Sequence, residues 1–278
     1  MRTFADFLRD AAKYGTLGAA ALHWQAKQDG FSEDEHIARM RSRLQVMRDS
    51  AKAGLSPNLR SVSGMVGGQA ALMNAPEQLG RFGLLGKAGA YALSIAEYNA
   101  CMGKIVAAPT AGSCGILPGA LLAAQEQDGF SDDELIMALF AAAGVGRIIA
   151  LQATVSGAEG GCQAECGAAA AMAASALVQL YGGTPEMASH ACAFALMNML
   201  GLVCDPVQGL VEVPCVYRNV GGVSQALSAA QMALSGIASP IPSDEMILAM
   251  KQVGDMLPAC LRETGEGGCA ACRSVCGK

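Results

Sequence analysis

The chain has 278 residues and a formal net charge of −5, an acidic balance that argues against a nucleic-acid-binding surface. Hydrophobic residues make up 52% of the chain and aromatic residues only 5%, so the core must be built from Ala, Leu, Val and Met. Ala, Leu and Met favour helices, and runs of β-branched residues are scarce. The composition therefore predicts a mainly helical protein.

Eleven cysteines are many for a chain of this length. The first ten residues, MRTFADFLRD, are charged throughout and lack the apolar core of a signal peptide. We therefore expect a cytoplasmic protein, in which disulfides are rare. The cysteines are then metal ligands, catalytic thiols or inert core residues.

The segment from Cys166 to Pro185 contains no charged residue and is long enough to span a bilayer. It consists mostly of Ala and Gly, with few Leu or Phe, so it is only weakly hydrophobic. We interpret it as a buried helix of a soluble protein and expect no membrane insertion.

Residues 1–29 predict an amphipathic helical start that contains the only tryptophan, Trp24. Ser32 and Glu35 then form a capping box, with Ser32 as the N-cap. The helix that follows should place four apolar side chains on one face. These are Ile37, Met40, Leu44 and Met47.

Several sequence features of the first half recur in the second half in the same order. The run QDGFS occurs at 28–32 and 127–131, and the second copy is again followed by a capping-box glutamate, Glu134, after Ser131. The pattern V-S-G-x-x-G-G occurs at 62–68 and 155–161. In the second copy Cys162 is inserted before the next Q-A pair. A Pro-rich loop at 109–118 likewise matches one at 206–214. Chance similarity of Gly, Pro and Ser turns is the alternative to an internal duplication.

We therefore predict an all-α fold with one compact helical domain over residues 1–264 and a Cys-containing tail at 265–278. The repeat halves span about 28–120 and 127–220 and are related by a pseudo-two-fold axis. If that axis brings the motif loops together, cysteines line one side of a cleft. These cysteines are Cys162, Cys204 and Cys215.

The opposite side of this cleft would carry hydroxyls and backbone N–H groups exposed by glycine, which suit a substrate carboxylate. The candidate residues are Ser63, Gly64, Gly67, Gly68, Thr110, Gly112 and Ser113. Cys114 falls on this substrate side, and Cys166 is interpreted as a core residue. Inert packing is expected for the remaining helical cysteines, Cys101, Cys192 and Cys260.

Three cysteines without a CxxC pair do not match a closed structural zinc site. A [4Fe–4S] cluster normally has four cysteine ligands. Held by three, it keeps one iron open, and an open metal can act as a Lewis acid on a substrate hydroxyl. This reasoning favours a dehydration reaction.

Three segments carry a resemblance to a known family: SGAEGGCQ at 156–163, AAPTAGSCG at 107–115, and the Cys204–Cys215 loop with Arg218 and Asn219. They resemble the iron–sulfur L-serine dehydratases, specifically the alpha, cluster-bearing part. The resemblance extends from Ser61 to Gly268.

The resemblance implies an all-helical fold and a [4Fe–4S] cluster held by Cys162, Cys204 and Cys215. It also implies conversion of L-serine to pyruvate and ammonia, a step in amino-acid degradation and gluconeogenesis, and sensitivity to oxygen. Ser63, with Thr110 and Ser113, would bind the substrate's carboxylate and amino group. Lys104 would offset the carboxylate charge, and we take Lys104 and Ser63 as the catalytic candidates.

Single-chain members of this family carry a beta domain before the cluster domain, and nothing here matches its Ser-rich loop. We therefore expect a separately encoded beta subunit. The three histidines, His23, His36 and His190, lie outside the motif loops, and none is a convincing base. In the tail, Cys269 and Cys272 form a CxxC, which suits a redox pair or an auxiliary metal ligand. Cys276 could fold back onto the open iron.

Three alternatives remain open. A related cluster-dependent L-cysteine desulfidase-type lyase would differ only in the leaving group. A pyridoxal-phosphate enzyme using Lys104 would deaminate serine by another route, but the sequence around Lys104 lacks a recognisable phosphate cup. The third alternative is a Cys-rich structural or membrane-embedded protein.

Overall fold

Residues 1–275, which the computed structural model describes, form twelve α-helices and no β-strand. The helices, in chain order, are α1 (Phe4–Tyr14), α2 (Leu17–Asp29), α3 (Glu33–Gly54), α4 (Ala70–Met73), α5 (Pro76–Ala100), α6 (Ile116–Asp128), α7 (Asp132–Gln152), α8 (Gly157–Gly160), α9 (Ala168–Leu180), α10 (Pro185–Met199), α11 (Cys215–Leu234) and α12 (Ser243–Met256). The predicted all-α fold is confirmed.

Helix α9 forms the centre of the protein, because twelve of its thirteen residues are buried. It packs against α6, α7, α10 and α11. Alanine combines the highest helix propensity with a small side chain, so the Ala-rich sequence of α9 lets four neighbours approach closely. The charge-free segment Cys166–Pro185 therefore contains a buried helix, α9, as expected.

Helix α7 is the one helix of residues 1–275 that is long and apolar enough to cross a membrane, judged by length and composition alone. Buried residues make up 67% of its apolar window, and α7 packs against α2 and α9. The core helix of a soluble protein passes the same test, so its apolar character is accounted for by packing.

Both predicted capping boxes are confirmed. The Ser32 hydroxyl accepts the backbone N–H of Glu35 at the start of α3, and Ser131 does the same for Glu134 at the start of α7. Each helix follows a glycine in the left-handed conformation, which ends the preceding helix. The two helix starts share their local structure, while the pseudo-two-fold duplication remains a prediction.

The N-terminal helix α1 packs against α7 at Gly144, where α7 has no side chain. The Phe7 ring is fully buried, and a Cβ atom built on Gly144 would lie 2.4 Å from its Cζ atom. The contact fixes α1 against the core through van der Waals packing that a single methyl group would disrupt.

We expect Gly144→Ala to lower the free energy of unfolding by about 1–3 kcal/mol, because the new methyl group overpacks the Phe7 site. Gly221→Ala is the matched control: it is also a helical glycine, but nothing lies within 4 Å of its Cβ position. There the gain in helix propensity should stabilise the protein by up to about 1 kcal/mol. Urea denaturation of both variants measures the difference, and equal effects would contradict the packing argument.

Candidate active site

The loop predicted around Cys204 is ordered and lies against the C-terminal segment. Its only helical part is the short 3₁₀ turn Val207–Gly209. The N–H of Cys204 donates to the carbonyl of Leu261 at 2.9 Å, and its carbonyl accepts the N–H of Glu263 at 2.7 Å. Cys215 begins α11 directly after the loop. The backbone of Cys204 is thus held by two hydrogen bonds, and that of Cys215 by the first turn of α11.

The three candidate ligands are all buried: Cys162 is 3% exposed, Cys204 4% and Cys215 9%. Burial raises the pKa of Cys215 to about 12, and the charges of Cys162 and Glu165 add to this effect. Burial likewise raises the pKa of Cys204, with contributions from Glu165, Cys162 and Cys215. The three thiols therefore share one electrostatic environment.

Cys162 differs from the other two because it has a sulfur and a cation beside it. Its Sγ lies 3.4 Å from that of Cys166, and this contact, together with the positive charge of Arg218, lowers the pKa of Cys162. The pKa of Cys166 is raised by the same contact and by burial. Of this pair, Cys162 is consequently the thiol that ionises more readily.

Arg218 links the cysteine loop to the tail. Its guanidinium forms an ion pair with Asp205 at 2.7 Å and donates to the carbonyl of Val203 at 2.7 Å. Asp205 also accepts the backbone N–H of Cys269 at 2.6 Å. The start of the tail therefore packs on the loop, and one cation serves both Asp205 and Cys162.

No three Cys, His, Asp or Glu side chains of residues 1–275 converge as ligands of a single metal ion. Ligands of one zinc ion all lie about 2.0–2.3 Å from it. On an iron–sulfur cluster each thiolate binds a different iron and stands farther from the others. Buried thiols that share an environment without sharing one ion position fit a cluster better than zinc.

The first-half loop at 61–69 contacts the cysteine loop through Glu212. This buried carboxylate accepts the Ser61 hydroxyl at 2.5 Å, the Ser63 N–H at 3.1 Å and the Ser63 hydroxyl. Burial alone would raise the pKa of Glu212, but these hydrogen bonds lower it. Ser63 is thereby held against the segment that connects Cys204 to Cys215.

A second internal carboxylate occupies the glycine-rich part of the same loop. Glu97 is fully buried and accepts the backbone N–H groups of Gly67 at 3.0 Å, Gln69 at 3.1 Å and Ala70 at 3.0 Å. The N–H of Gly64 donates to the carbonyl of Ser61. The loop does bind a carboxylate, as its glycines suggested, but in this structure the carboxylate belongs to Glu97.

The loop that carries Thr110, Gly112 and Ser113 is attached to α11 by one buried amide. Asn219 donates to the carbonyl of Gly112 at 2.8 Å and to that of Cys215 at 3.0 Å, and accepts the N–H of Gly115 at 2.9 Å. The hydroxyls of Thr110 and Ser113 lie 3.1 Å apart. The cysteine helix and the substrate-side loop are therefore one unit.

The remaining candidates are an exposed lysine, three histidines and a cysteine beyond the described part of the chain. Lys104 is exposed. The histidines pair elsewhere, His23 with Glu33 and His36 with Asp29. His190 accepts the N–H of Ser239. Cys276 lies outside residues 1–275.

Sequence analysis missed Glu165, which lies on the π-helical turn Gln163–Gly167. Burial raises the pKa of its carboxyl group, although the Thr110 hydroxyl opposes this effect. The only sequence signal was its position three residues after Cys162. Its proximity to Gly112 and Gly157 becomes visible only in the fold.

Comparison with known proteins gives a consistent result. The family model described as "Serine dehydratase alpha chain" matches residues 9–270. The chain is 47% identical over 250 residues to "Probable L-serine dehydratase, alpha chain" of Bacillus subtilis (strain 168), covering 89% of this chain and 81% of the relative. It is 43% identical over 256 residues to "L-serine dehydratase, alpha chain" of Peptoniphilus asaccharolyticus, covering 91% and 88%. A 40% match to "L-serine dehydratase TdcG" of Escherichia coli (strain K12) covers 67% of this chain and 41% of that protein.

We expect Asn219→Leu to lower the free energy of unfolding by about 2–4 kcal/mol, because a leucine leaves buried backbone groups of both loops unpaired. The matched control is Asn99→Leu, which removes a single bond to the Ala111 carbonyl at a partly exposed position. It should cost no more than about 1 kcal/mol. Urea denaturation compares the two variants, and similar losses would mean that Asn219 does not hold the loops together.

Proposed function

The chain belongs to the family of serine dehydratase alpha chains, and from this we propose that it is the alpha subunit of an L-serine dehydratase. It is then a lyase that converts L-serine to pyruvate and ammonia. The observation that carries the proposal is the group of three buried thiols beside loops rich in hydroxyls. Relatives that are named as alpha chains support a separately encoded beta subunit as its partner.

We propose that Cys162, Cys204 and Cys215 hold a [4Fe–4S] cluster. Support comes from their burial, their shared electrostatic environment and the soft character of thiolate ligands. When bound, such a cluster supplies a Lewis-acidic iron for the loss of the substrate hydroxyl. An iron that binds substrate is open to solvent, so we also expect the activity to be sensitive to oxygen.

The chain's own residues would prepare the site in two ways. Arg218 places a positive charge beside Cys162, which offsets part of the cost of collecting thiolates in a buried place. Asn219 and Glu212 fix the loops that carry Thr110, Ser113 and Ser63 against the cysteine segment. Bound substrate would be oriented without movement of these loops.

Substrate contacts are proposed for the hydroxyl side of the cleft. Thr110 and Ser113, with the backbone around Gly112, would bind the carboxylate. Ser63 donates its hydroxyl to Glu212 and accepts the N–H of Met65 at 3.1 Å, so its oxygen has a fixed position. The proposal also keeps Gly64, Gly67 and Gly68 as the backbone of this side. Lys104 would act from the exposed rim on the substrate's charge.

We infer a soluble, cytoplasmic enzyme, since the apolar window of α7 is mostly buried against its neighbours. Nothing in this inference requires a nucleic acid or a membrane.

Replacing any one of the three proposed ligands, as Cys162→Ser, Cys204→Ser or Cys215→Ser, should remove both bound iron and the conversion of L-serine. The serine hydroxyl is a much weaker ligand for iron than a thiolate. The measurement is iron and acid-labile sulfide per chain after anaerobic purification with the beta subunit co-expressed. It is followed by pyruvate formation from L-serine and from L-cysteine, side by side.

Cys114→Ser and Cys166→Ser are the matched controls, because both thiols are buried as deeply as the proposed ligands. Both variants should keep iron near the parental content. If Cys166→Ser empties the site while Cys162→Ser does not, the ligand assignment is wrong. Faster turnover of L-cysteine than of L-serine would contradict the proposed substrate.

A further inference from the structure

Glu165 lies where the substrate-side loop meets the cysteines. A Cβ atom built on Gly112 would lie 3.4 Å from its Oε1 atom, and one built on Gly157 would lie 2.6 Å from its Oε2 atom. The same position on Gly157 is 3.0 Å from the Sγ atom of Cys204. Two glycines thus leave room around both oxygens of this carboxylate, between the Thr110 loop and Cys204.

Glu165 is partly buried and lacks the backbone and ion-pair partners of the fully buried acids. Glu97 accepts backbone N–H groups, Glu212 accepts a backbone N–H and two serine hydroxyls, and Asp205 pairs with Arg218. Within residues 1–275, Glu165 accepts no backbone N–H and forms no ion pair with Lys or Arg. The hydroxyl of Thr110 forms a hydrogen bond with it, and the Arg218 guanidinium, which is paired with Asp205, is near enough to favour its charge.

Acidic groups also lie close to Glu165, and the charge of Arg218 opposes their effect only in part. Glu263 lies close enough to disfavour its ionised form, and Glu165 in turn disfavours the thiolates of Cys204 and Cys215. The charge of Arg218 is already shared with Asp205 and Cys162, so a further cation beside Glu165 would lower the cost of burying its carboxylate. An amino-acid substrate brings such a cation, since its α-ammonium is adjacent to its carboxylate.

We propose that Glu165 binds the α-ammonium group of the substrate and thereby selects amino acids over 2-hydroxy acids of the same shape. This inference rests on the proposed function. The hydroxyls of Thr110 and Ser113 would take the carboxylate on one side, and Glu165 would take the ammonium on the other. Substrate recognition is then divided between the two halves of the chain.

The test uses two ligands that lack the Cβ hydroxyl lost in the reaction. They differ only in the group on Cα that Glu165 is proposed to bind. L-Alanine carries the α-ammonium, and L-lactate carries a hydroxyl in its place. Binding of both is measured by anaerobic calorimetry on the cluster-loaded complex with the beta subunit. The parent should prefer L-alanine. Glu165→Gln should weaken L-alanine binding roughly 10- to 100-fold, as expected for loss of a charge-assisted hydrogen bond, and leave L-lactate within about twofold.

Glu159→Gln is the matched control, because Glu159 is an exposed acid of the neighbouring turn and its replacement removes the same charge. It should leave the preference for L-alanine unchanged. Iron and sulfide content is measured for each variant. An unchanged preference in Glu165→Gln overturns the inference, and so does loss of iron, which would assign Glu165 to the metal group.

Glu165→Asp is a milder change, because it keeps the carboxylate and shortens the side chain. It should keep the preference for L-alanine and bind it more weakly than the parent does. Parental affinity for L-alanine in Glu165→Asp would also contradict the inference.

Failure of the proposed function gives a different result. If the parental complex contains no iron or sulfide and forms no pyruvate from L-serine, the function itself is wrong. If the parent is active and only the preference of Glu165→Gln is unchanged, the function stands and Glu165 has another role.

Discussion

Two buried polar side chains on either side of Cys215 hold the candidate site together. Glu212 fixes the first-half loop that carries Ser63, and Asn219 fixes the loop that carries Gly112. Both act on backbone groups that would otherwise be buried without partners. Because these two residues belong to the segment that presents Cys215, the cysteine side and the hydroxyl side of the cleft cannot separate without breaking several hydrogen bonds at once.

Burial and nearby charges change how readily the cysteine thiols of the site lose their protons. Burial raises the pKa of Cys204 and Cys215, which favours the protonated form of both thiols when no ligand is bound. A metal group that binds thiolates must displace those protons, which links its affinity to pH. At Cys162 the contact with Cys166 and the charge of Arg218 act in the opposite direction and lower the pKa of its thiol. For the proposed cluster, Cys162 would therefore be the first of the three ligands to lose its proton.

Sequence reasoning succeeded where the cause was local. Low aromatic and high Ala content identified a helical core, and the capping boxes at Ser32 and Ser131 identified two helix starts, because each involves residues within one turn. Motif loops were found from proline and glycine, which restrict or free the backbone directly. The roles of Glu97 and Asn219 could not be found in this way. Their partners are 27 to 30 and 104 to 107 residues distant, apart from the local bond to Cys215.

The same distinction applies to the glycines of the 61–69 loop and to the acids that sequence analysis overlooked. Gly67 was singled out because a bare N–H suits a carboxylate, and the fold supplies that carboxylate from Glu97. Glu97 and Glu212 accept backbone N–H groups of the 61–69 loop, whereas Glu165 accepts no backbone N–H within residues 1–275. The two glycines that face Glu165 leave space around its carboxylate oxygens. The proposed ammonium group of the substrate would give this carboxylate the cationic partner that the described fold supplies only in part.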